Sequence, residues 1–349
     1  MSEAQAPRDP RTAAVSGPVT DWHRAVERLN VETCEAAEAA FARGEAAGAR
    51  QFLWQPLRDF AKAAARGGRG RIRLARAVLA GYAPLVRAAK LWEADMRWRQ
   101  IHLESFESGR ACGVVRREWR GALERVLRRQ ADGEAVVGGR GGTVRIPTEQ
   151  GPVILRRFRR GGAMRWLGET YFGFRARPLR EFELLLRARR RGLPVPDPLA
   201  AVVERRFAVA YRGCLLMHEI VGAVPISDLV AVEPPPDLIG MLARGLRELH
   251  DAGLSHPDLN LGNVLVVSRS YGTRLAFVDL DRARLGAGPV GAATRRRSLR
   301  RLRRSAGKLD PTGRLFSGSA LDRLERMYWD LRPGREANAE EIGGVRPAR

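Results

Sequence analysis

The stretch His256-Pro257-Asp258-Leu259-Asn260-Leu261-Gly262-Asn263, followed by Phe277-Val278-Asp279, constrains this chain more than any other. An acid stands two residues after a histidine and an amide five residues after that acid. A second acid follows 21 residues after the first, at the end of a short apolar run. Phosphoryl transfer from Mg-ATP needs this set. One carboxylate orients an attacking hydroxyl and accepts its proton, while an asparagine and a second carboxylate hold the metal ions that bridge the phosphates. Asp258 is therefore the candidate base, and Asn263 and Asp279 are the candidate Mg2+ ligands. Residues 264–267 and 275–278 read as two short strands of a hairpin with its turn at 268–273, so the second strand delivers Asp279 beside the first loop.

An ATP-dependent enzyme of this kind also needs groups that hold the nucleotide. Gly138-Gly139-Arg140-Gly141-Gly142 runs into a β-prone stretch, and backbone N–H groups at Gly139 and Gly141 can approach phosphate oxygens without side-chain obstruction. A cation is required on a following strand, paired to a helix glutamate. No lysine occurs between Lys90 and Lys308, so the cation must be an arginine. Arg156, in Val153-Ile154-Leu155-Arg156, is the candidate, with Arg157 its neighbour on the opposite strand face. Glu181 is the expected partner and Glu183 the second choice. Further on, residues 202–203 and 207–210 read as strands and Cys214-Leu215-Leu216-Met217 as a buried strand. Main-chain groups of Glu219 and Ile220, just beyond it, are expected to meet the adenine edge.

The 349 residues carry a net charge of +23, which calls for a phosphate-rich or anionic partner. The three cysteines show neither metal-ligand spacing nor an even disulfide framework, which fits a reducing cytoplasm. Residues 1–20 and 336–349 read as tails. Met1 to Pro18 lacks the apolar core of a signal peptide, and no apolar run of about 18 residues predicts a spanning helix. From Asp21 to about Gln130 the pattern reads as helical throughout. Within it, Ile72, Ala75, Leu79, Tyr82, Val86 and Ala89 share a helical face edged by Arg73, Arg76, Arg87 and Lys90. That pattern fits two placements, a helix lying in a membrane interface or a helical hairpin packed on the catalytic domain.

Together, Gly139-Arg140-Gly141, the Arg-Arg-Gly-Gly of residues 159–162, Arg180-Glu181-Phe182, the Gly-Leu-Pro-Val-Pro of residues 192–196, His256-Pro257-Asp258-Leu259-Asn260 and Asp279-Leu280-Asp281-Arg282 resemble 3-deoxy-D-manno-octulosonic acid (Kdo) kinases over about residues 136–310. The resemblance implies an α+β, two-lobed protein-kinase-like fold preceded by an all-helical N-terminal region. The small lobe would span 136–220 and the large lobe 221–335. It implies ATP and Mg2+ as cofactors, a Kdo-lipid A-like acceptor phosphorylated at the Kdo 4-hydroxyl, and a cytoplasmic protein peripheral on the anionic inner membrane, with no nucleic-acid partner. An arginine in place of the strand lysine also fits this family. Leu280 stands where phenylalanine is usual, and Pro257 separates His256 from Asp258. The basic run Arg295–Arg304 would face an acceptor bearing carboxylate and phosphates. Separately, residues 52–60 and 88–93 are similar to the C-terminal helical tail of family 2 lipopolysaccharide core glycosyltransferases. The nucleotide-sugar domain of those enzymes has no counterpart here, so no glycosyl transfer is expected.

Overall fold

A computed structural model describes residues 22–48, 50–66, 71–129, 133–135, 142–159, 168–173, 176–207, 210–231, 234–269 and 272–331. The tails expected at 1–20 and 336–349, and both Gly139 and Gly141, lie outside the described residues. The chain divides into two compact units, residues 1–192 with 197–217, and residues 193–196 with 218–349.

The first unit opens with α1 (Trp22–Ala42), a short π-helical turn (Arg50–Trp54), α2 (Gln55–Ala65) and the long α3 (Arg71–His102). The helical reading ends there. Residues 103–116, expected as helix, form an antiparallel hairpin of β1 (Leu103–Ser108) and β2 (Ala111–Arg116). The cause is tertiary. β2 pairs along β7 (Pro198–Arg205), nearly 90 residues away. A Cβ on Gly113 would stand 2.1 Å from the Ala201 carbonyl oxygen, so only glycine allows the two backbones to meet there. A 3-10 turn at Arg117–Trp119 then leads into α4 (Arg120–Arg128).

The hairpin extends an eight-stranded sheet that also holds β3 (Glu134–Ala135), β4 (Thr143–Ile146), β5 (Val153–Arg157), β6 (Tyr171–Phe172) and β8 (Ala210–His218). The strand order is β1-β2-β7-β8-β5-β4-β3, with β6 paired to β8. Phe207, expected in a strand, lies in the turn before β8, where the N–H of Arg206 donates to the Ala210 carbonyl. Phe106, Val115, Trp119, Leu123, Leu155 and Leu216 form the core between the sheet and α4.

Helix α5 (Arg177–Arg190) packs on β7 and is clamped from outside by the N-terminal helices. The Arg190 guanidinium lies 4.4 Å from the Phe41 ring centre and 4.1 Å from that of Trp98, and donates to Asp95 at 3.2 Å. Arg99 bridges Asp95 at 2.7 Å and Glu183 at 3.2 Å. Arg191 donates to the Arg43 carbonyl at 2.7 Å. The packed placement therefore holds for α1 and for the C-terminal half of α3, whose inner face buries Leu91 against Ala37 and Ala40.

In the second unit, β9 (Ala223–Pro225), β11 (Val264–Arg269) and β12 (Gly272–Phe277) form a three-stranded sheet in the order β12-β11-β9. β10 (Leu254–Ser255) pairs with β13 (Arg284–Leu285). Helices α6 (Leu238–Asp251), α7 (Ala292–Leu309) and α8 (Gly318–Asp330) complete the unit. Asp237 caps α6 by accepting from the Gly240 N–H at 3.2 Å. The apolar face of α6 buries Leu242, Leu246 and Leu249, and Gly245 lets the helix close on Leu275 and Phe277 of β12. The Pro194 carbonyl accepts from the Phe277 N–H at 2.8 Å, which ties the 193–196 link to this unit.

His250 lies buried on α6 with its Nδ1 2.8 Å from the Tyr328 hydroxyl of α8. Burial first, then the neighbouring Arg295 cation, lowers its pKa to about 4; Arg247 adds to this and Asp251 opposes it. Burial likewise lowers the pKa of His256, a buried residue of the candidate loop. Both imidazoles are neutral in the folded protein, and the unfolded chain takes up their protons near pH 6.5. Their contribution to stability is complete above that pH and is lost as pH falls through their lowered folded-state values, about 4 for His250. Denaturant melts are expected to give a stability flat from pH 8 to 7 that falls below 6.5 by up to about 1.4 kcal/mol per pH unit for each histidine. His250→Gln, which takes up no proton, should reduce that slope.

Candidate active site

In the second unit the loop from His256 to Asn263 is held by its own backbone. The Asp258 carbonyl oxygen accepts from Asn260 Nδ2 and from Asn263 Nδ2, each at 2.9 Å. Asn260 Oδ1 in turn accepts from the Gly262 N–H at 2.9 Å, shaping the 3-10 turn at Leu261–Asn263. The five-residue spacing of Asp258 and Asn263 is thus closed by a direct hydrogen bond. Because Asn263 spends its amide N–H on that bond, its Oδ1 is the atom left to face a cation.

Asp279 is joined to this loop through the residue before it. The Val278 N–H donates to the Asn263 carbonyl at 3.0 Å, and His256 Nε2 donates to the Val278 carbonyl at 3.1 Å. His256 is therefore the structural support behind the loop, with the proton on Nε2 and Nδ1 buried without a partner among the described residues. Asp279 has φ +59, one of two non-glycine residues with positive φ among the described residues. Aspartate tolerates the left-handed region better than most side chains, and such backbone conformations collect at functional sites. Leu280, where phenylalanine is usual, is fully buried.

One neighbour of Asp258 was not singled out by the sequence. Arg301 of α7 donates from Nη1 to Asp258 Oδ1 at 2.6 Å, and Arg282 Nε lies 3.9 Å from Oδ2. Leu261 N–H donates to Ser305 Oγ at 3.1 Å, which fixes α7 against the loop. The basic run expected at 295–304 is not uniform. Arg295 is buried and structural, donating to Asp251 at 2.6 Å and to the Val290 carbonyl at 2.6 Å. Its outward neighbours Arg297, Arg300, Arg303 and Arg304 line a groove of ≈ 370 Å³.

In the first unit the structure pairs Arg156 with Glu181, whose side chain is 2% exposed. Arg157, on the opposite strand face, lies 3.7 Å from Glu169 instead, and Glu183 is taken by Arg99. The Arg156 guanidinium also lies 4.7 Å from the Phe158 ring centre. Glu219 and Ile220 follow the end of β8, half-buried, and the Ile220 carbonyl accepts from the Ala223 N–H at 3.1 Å in a turn. Removing one partner of a buried ion pair leaves the other uncompensated. Glu181→Ala is expected to cost about 3 kcal/mol in urea denaturation, the low end for such pairs because Arg156 keeps some access to water.

The donor chemistry fits Mg2+. Asn263 and Asp279 offer hard oxygen atoms, and a magnesium site of this kind is completed by phosphates and water rather than by a closed cage of side chains. No cluster of three or more His, Cys, Asp or Glu suited to a metal occurs among the described residues.

Residues 126–328 match the family model described as "Lipopolysaccharide kinase (Kdo/WaaP) family". A 3-deoxy-D-manno-octulosonic acid kinase of Xylella fastidiosa (strain 9a5c) is 35% identical over 177 residues, covering 49% of this chain and 68% of that protein. The protein of the same name from Xanthomonas oryzae pv. oryzae (strain PXO99A) is 35% identical over 202 residues, covering 55% of this chain and 76% of that protein. A solved structure described as WaaP in complex with acyl carrier protein aligns with a TM-score of 0.43 at 19% identity, covering 62% of this chain and 86% of that one.

Proposed function

The chain belongs to the lipopolysaccharide kinase (Kdo/WaaP) family, and on that premise we propose that it transfers the γ-phosphate of Mg-ATP to the 4-hydroxyl of Kdo on a lipid A precursor, working at the anionic cytoplasmic face of the inner membrane. The observation that carries the reading is the cross-tied loop in which the Asp258 carbonyl binds Asn263 and the Asn263 carbonyl binds the residue before Asp279. Mg2+, when bound, would supply positive charge to offset the charge that develops on the phosphates. Asn263 and Asp279 would hold it through Oδ atoms. Asp258 orients the acceptor hydroxyl and accepts its proton as the oxygen bonds to phosphorus and ADP leaves. Arg156, fixed by Glu181, offers a planar cation to the α- and β-phosphates. Backbone N–H groups at Gly139 and Gly141 would cover the phosphates, and main-chain groups of Glu219 and Ile220 would meet adenine.

The acceptor chemistry agrees with the cations around Asp258. Kdo carries a carboxylate beside its hydroxyls, and lipid A carries phosphates. Arg301, Arg282 and the arginine-lined groove on α7 supply positive charge for both. The test is incorporation of label from γ-labelled ATP into Kdo-bearing and heptose-bearing lipid acceptors. Labelling confined to the Kdo-bearing acceptor is expected. Labelling that requires heptose would make the chain a heptose kinase. Nucleotide binding without transfer to either would leave it a binding protein built on a kinase fold.

A further inference from the structure

The N-terminal helices fall into two parts. α1 and the C-terminal half of α3 pack on each other and reach α5 through Phe41, Asp95, Trp98 and Arg99. The π-helical turn, α2 and the N-terminal half of α3 present a different surface. Leu53, Trp54 and Leu57 are each 60% or more exposed, and Leu74 is 61% exposed. Val78 and Leu85 are exposed as well.

These side chains form one surface. Leu74, Val78, Gly81 and Leu85 lie at i, i+4, i+7 and i+11 of α3 and so share a face. Gly81 on that face meets α2 directly, since a Cβ there would lie 3.1 Å from both Phe60 Cβ and the Pro56 carbonyl oxygen. The exposed residues of α3 therefore flank α2, and Leu53 of the π-helical turn together with Leu57 and Phe60 of α2 continues the apolar area. Folding has left these side chains exposed, whereas Leu79, Leu91, Phe106 and Trp119 of the same unit are buried.

Charge decides what covers it. Residues 50–92 contain ten Arg or Lys and a single acid, Asp59. Arg50, Lys62, Arg66 and Arg76 are exposed, and Asp59 is already engaged by Arg58 at 2.9 Å. A self-association face or a site for a cationic partner would bring these charges together unfavourably. A surface combining large apolar side chains, an exposed tryptophan and a cationic margin fits the interface of an anionic bilayer. No helix among the described residues is long and apolar enough to cross a membrane, so insertion is confined to the interface.

We propose that the face built by Leu53, Trp54, Leu57, Leu74, Val78 and Leu85 is an interfacial docking surface for anionic lipid. It lies outside the residues that match the family model. The proposal rests on the lipid-linked acceptor reading only for why a membrane should be met. It shifts the reading of the Ile72–Trp92 stripe, because Ala75 and Leu79 of that stripe are buried while Tyr82 and Ala89 are exposed, and the exposed apolar face lies beside the stripe on the helix.

The test uses the full-length protein with vesicles of phosphatidylcholine, pure or mixed with phosphatidylglycerol, at low salt and at high salt. Binding to the mixed vesicles is expected to weaken with salt but not to vanish, since apolar burial is not screened. Leu57→Gln/Leu74→Gln should weaken the salt-resistant part by about tenfold or more. Lys62→Gln/Arg66→Gln/Arg76→Gln should remove most of the salt-sensitive part. Brominated lipids should quench wild-type fluorescence more than that of Trp54→Phe at equal bound fraction. Binding by the Leu57→Gln/Leu74→Gln variant equal to wild type would overturn the proposal. So would binding that salt abolishes completely, or a wild-type dimer in light scattering that the same variant makes monomeric. Transfer to a detergent-dispersed acceptor, measured in parallel, separates the two readings: loss of docking with transfer intact overturns only this proposal, and docking without transfer overturns only the enzymatic one.

Discussion

Asp258→Asn is expected to reduce turnover by about 10²–10⁴-fold while Mg-ATP still binds. The loop does not depend on the carboxylate, because Asn260 and Asn263 are both held by the Asp258 backbone carbonyl, which asparagine retains. The variant loses the charge that accepts the hydroxyl proton and the ion pair with Arg301 at 2.6 Å, in a carboxylate already 40% exposed. Loss of that pair should matter little to stability, as exposed ion pairs contribute at most about 1 kcal/mol. Equilibrium nucleotide binding and single-turnover transfer, measured side by side, check this. Full turnover in a folded Asp258→Asn protein would remove Asp258 from the role of base.

Asp279→Ala is expected to lose both rate and the Mg2+-dependent part of nucleotide affinity, because it removes a metal ligand rather than a proton acceptor. Alanine is also poorly suited to φ +59, so part of its effect is backbone strain. Asp279→Asn separates the two, since asparagine tolerates the left-handed region and lacks the charge. If Mg2+ titrations show Asp279→Asn binding ATP as tightly as wild type at every metal concentration, the ligand assignment fails. The effect should exceed that of changing His256, which supports Val278 from behind and touches no reacting group.

The catalytic loop was legible in the sequence because its chemistry is local. Asp258 and Asn263 are closed on each other by one hydrogen bond, and the 264–278 hairpin brings Asp279 back within a single supersecondary unit. The Arg156–Glu181 pairing could be approached by elimination, since no lysine was available and strand alternation separates Arg156 from Arg157. The choice of Glu181 over Glu183 was legible as well, since residues two apart on a helix face different ways, and Arg99 of α3 takes Glu183. Arg301, by contrast, was hidden. It lies 43 residues from Asp258 and looks identical in sequence to its neighbours, yet the helical phase of α7 turns Arg295 inward, Arg301 to the loop and Arg300 to the groove. The β1–β2 hairpin was misread because β1 is rich in Glu and Ser and the only helix breakers in the hairpin are Gly109 and Gly113. The strand character of both segments comes from pairing, β1 with β2 and β2 in turn with β7.

That hairpin also changes what an N-terminal truncation would do. A cut at residue 104 would remove the start of β1 together with the helices that clamp α5 through Asp95, Phe41 and Trp98. Such a protein is expected to be destabilised, so the apolar face of α2 and α3 is better probed by surface substitution than by deletion. The inner part of the helical region supports the helix that carries Glu181, and the outer part carries the face proposed to meet lipid.

The central claim, that this chain moves phosphate from Mg-ATP to one hydroxyl of a lipid-linked Kdo, is tested most directly by locating the phosphate in the product. Wild-type protein, γ-labelled ATP and a Kdo-bearing lipid A precursor should give a product heavier by one phosphate, with the phosphorus coupled to the proton on C4 of Kdo by NMR. A phosphate found on another sugar or on the lipid A backbone, or released only as inorganic phosphate with the acceptor unchanged, would contradict the account.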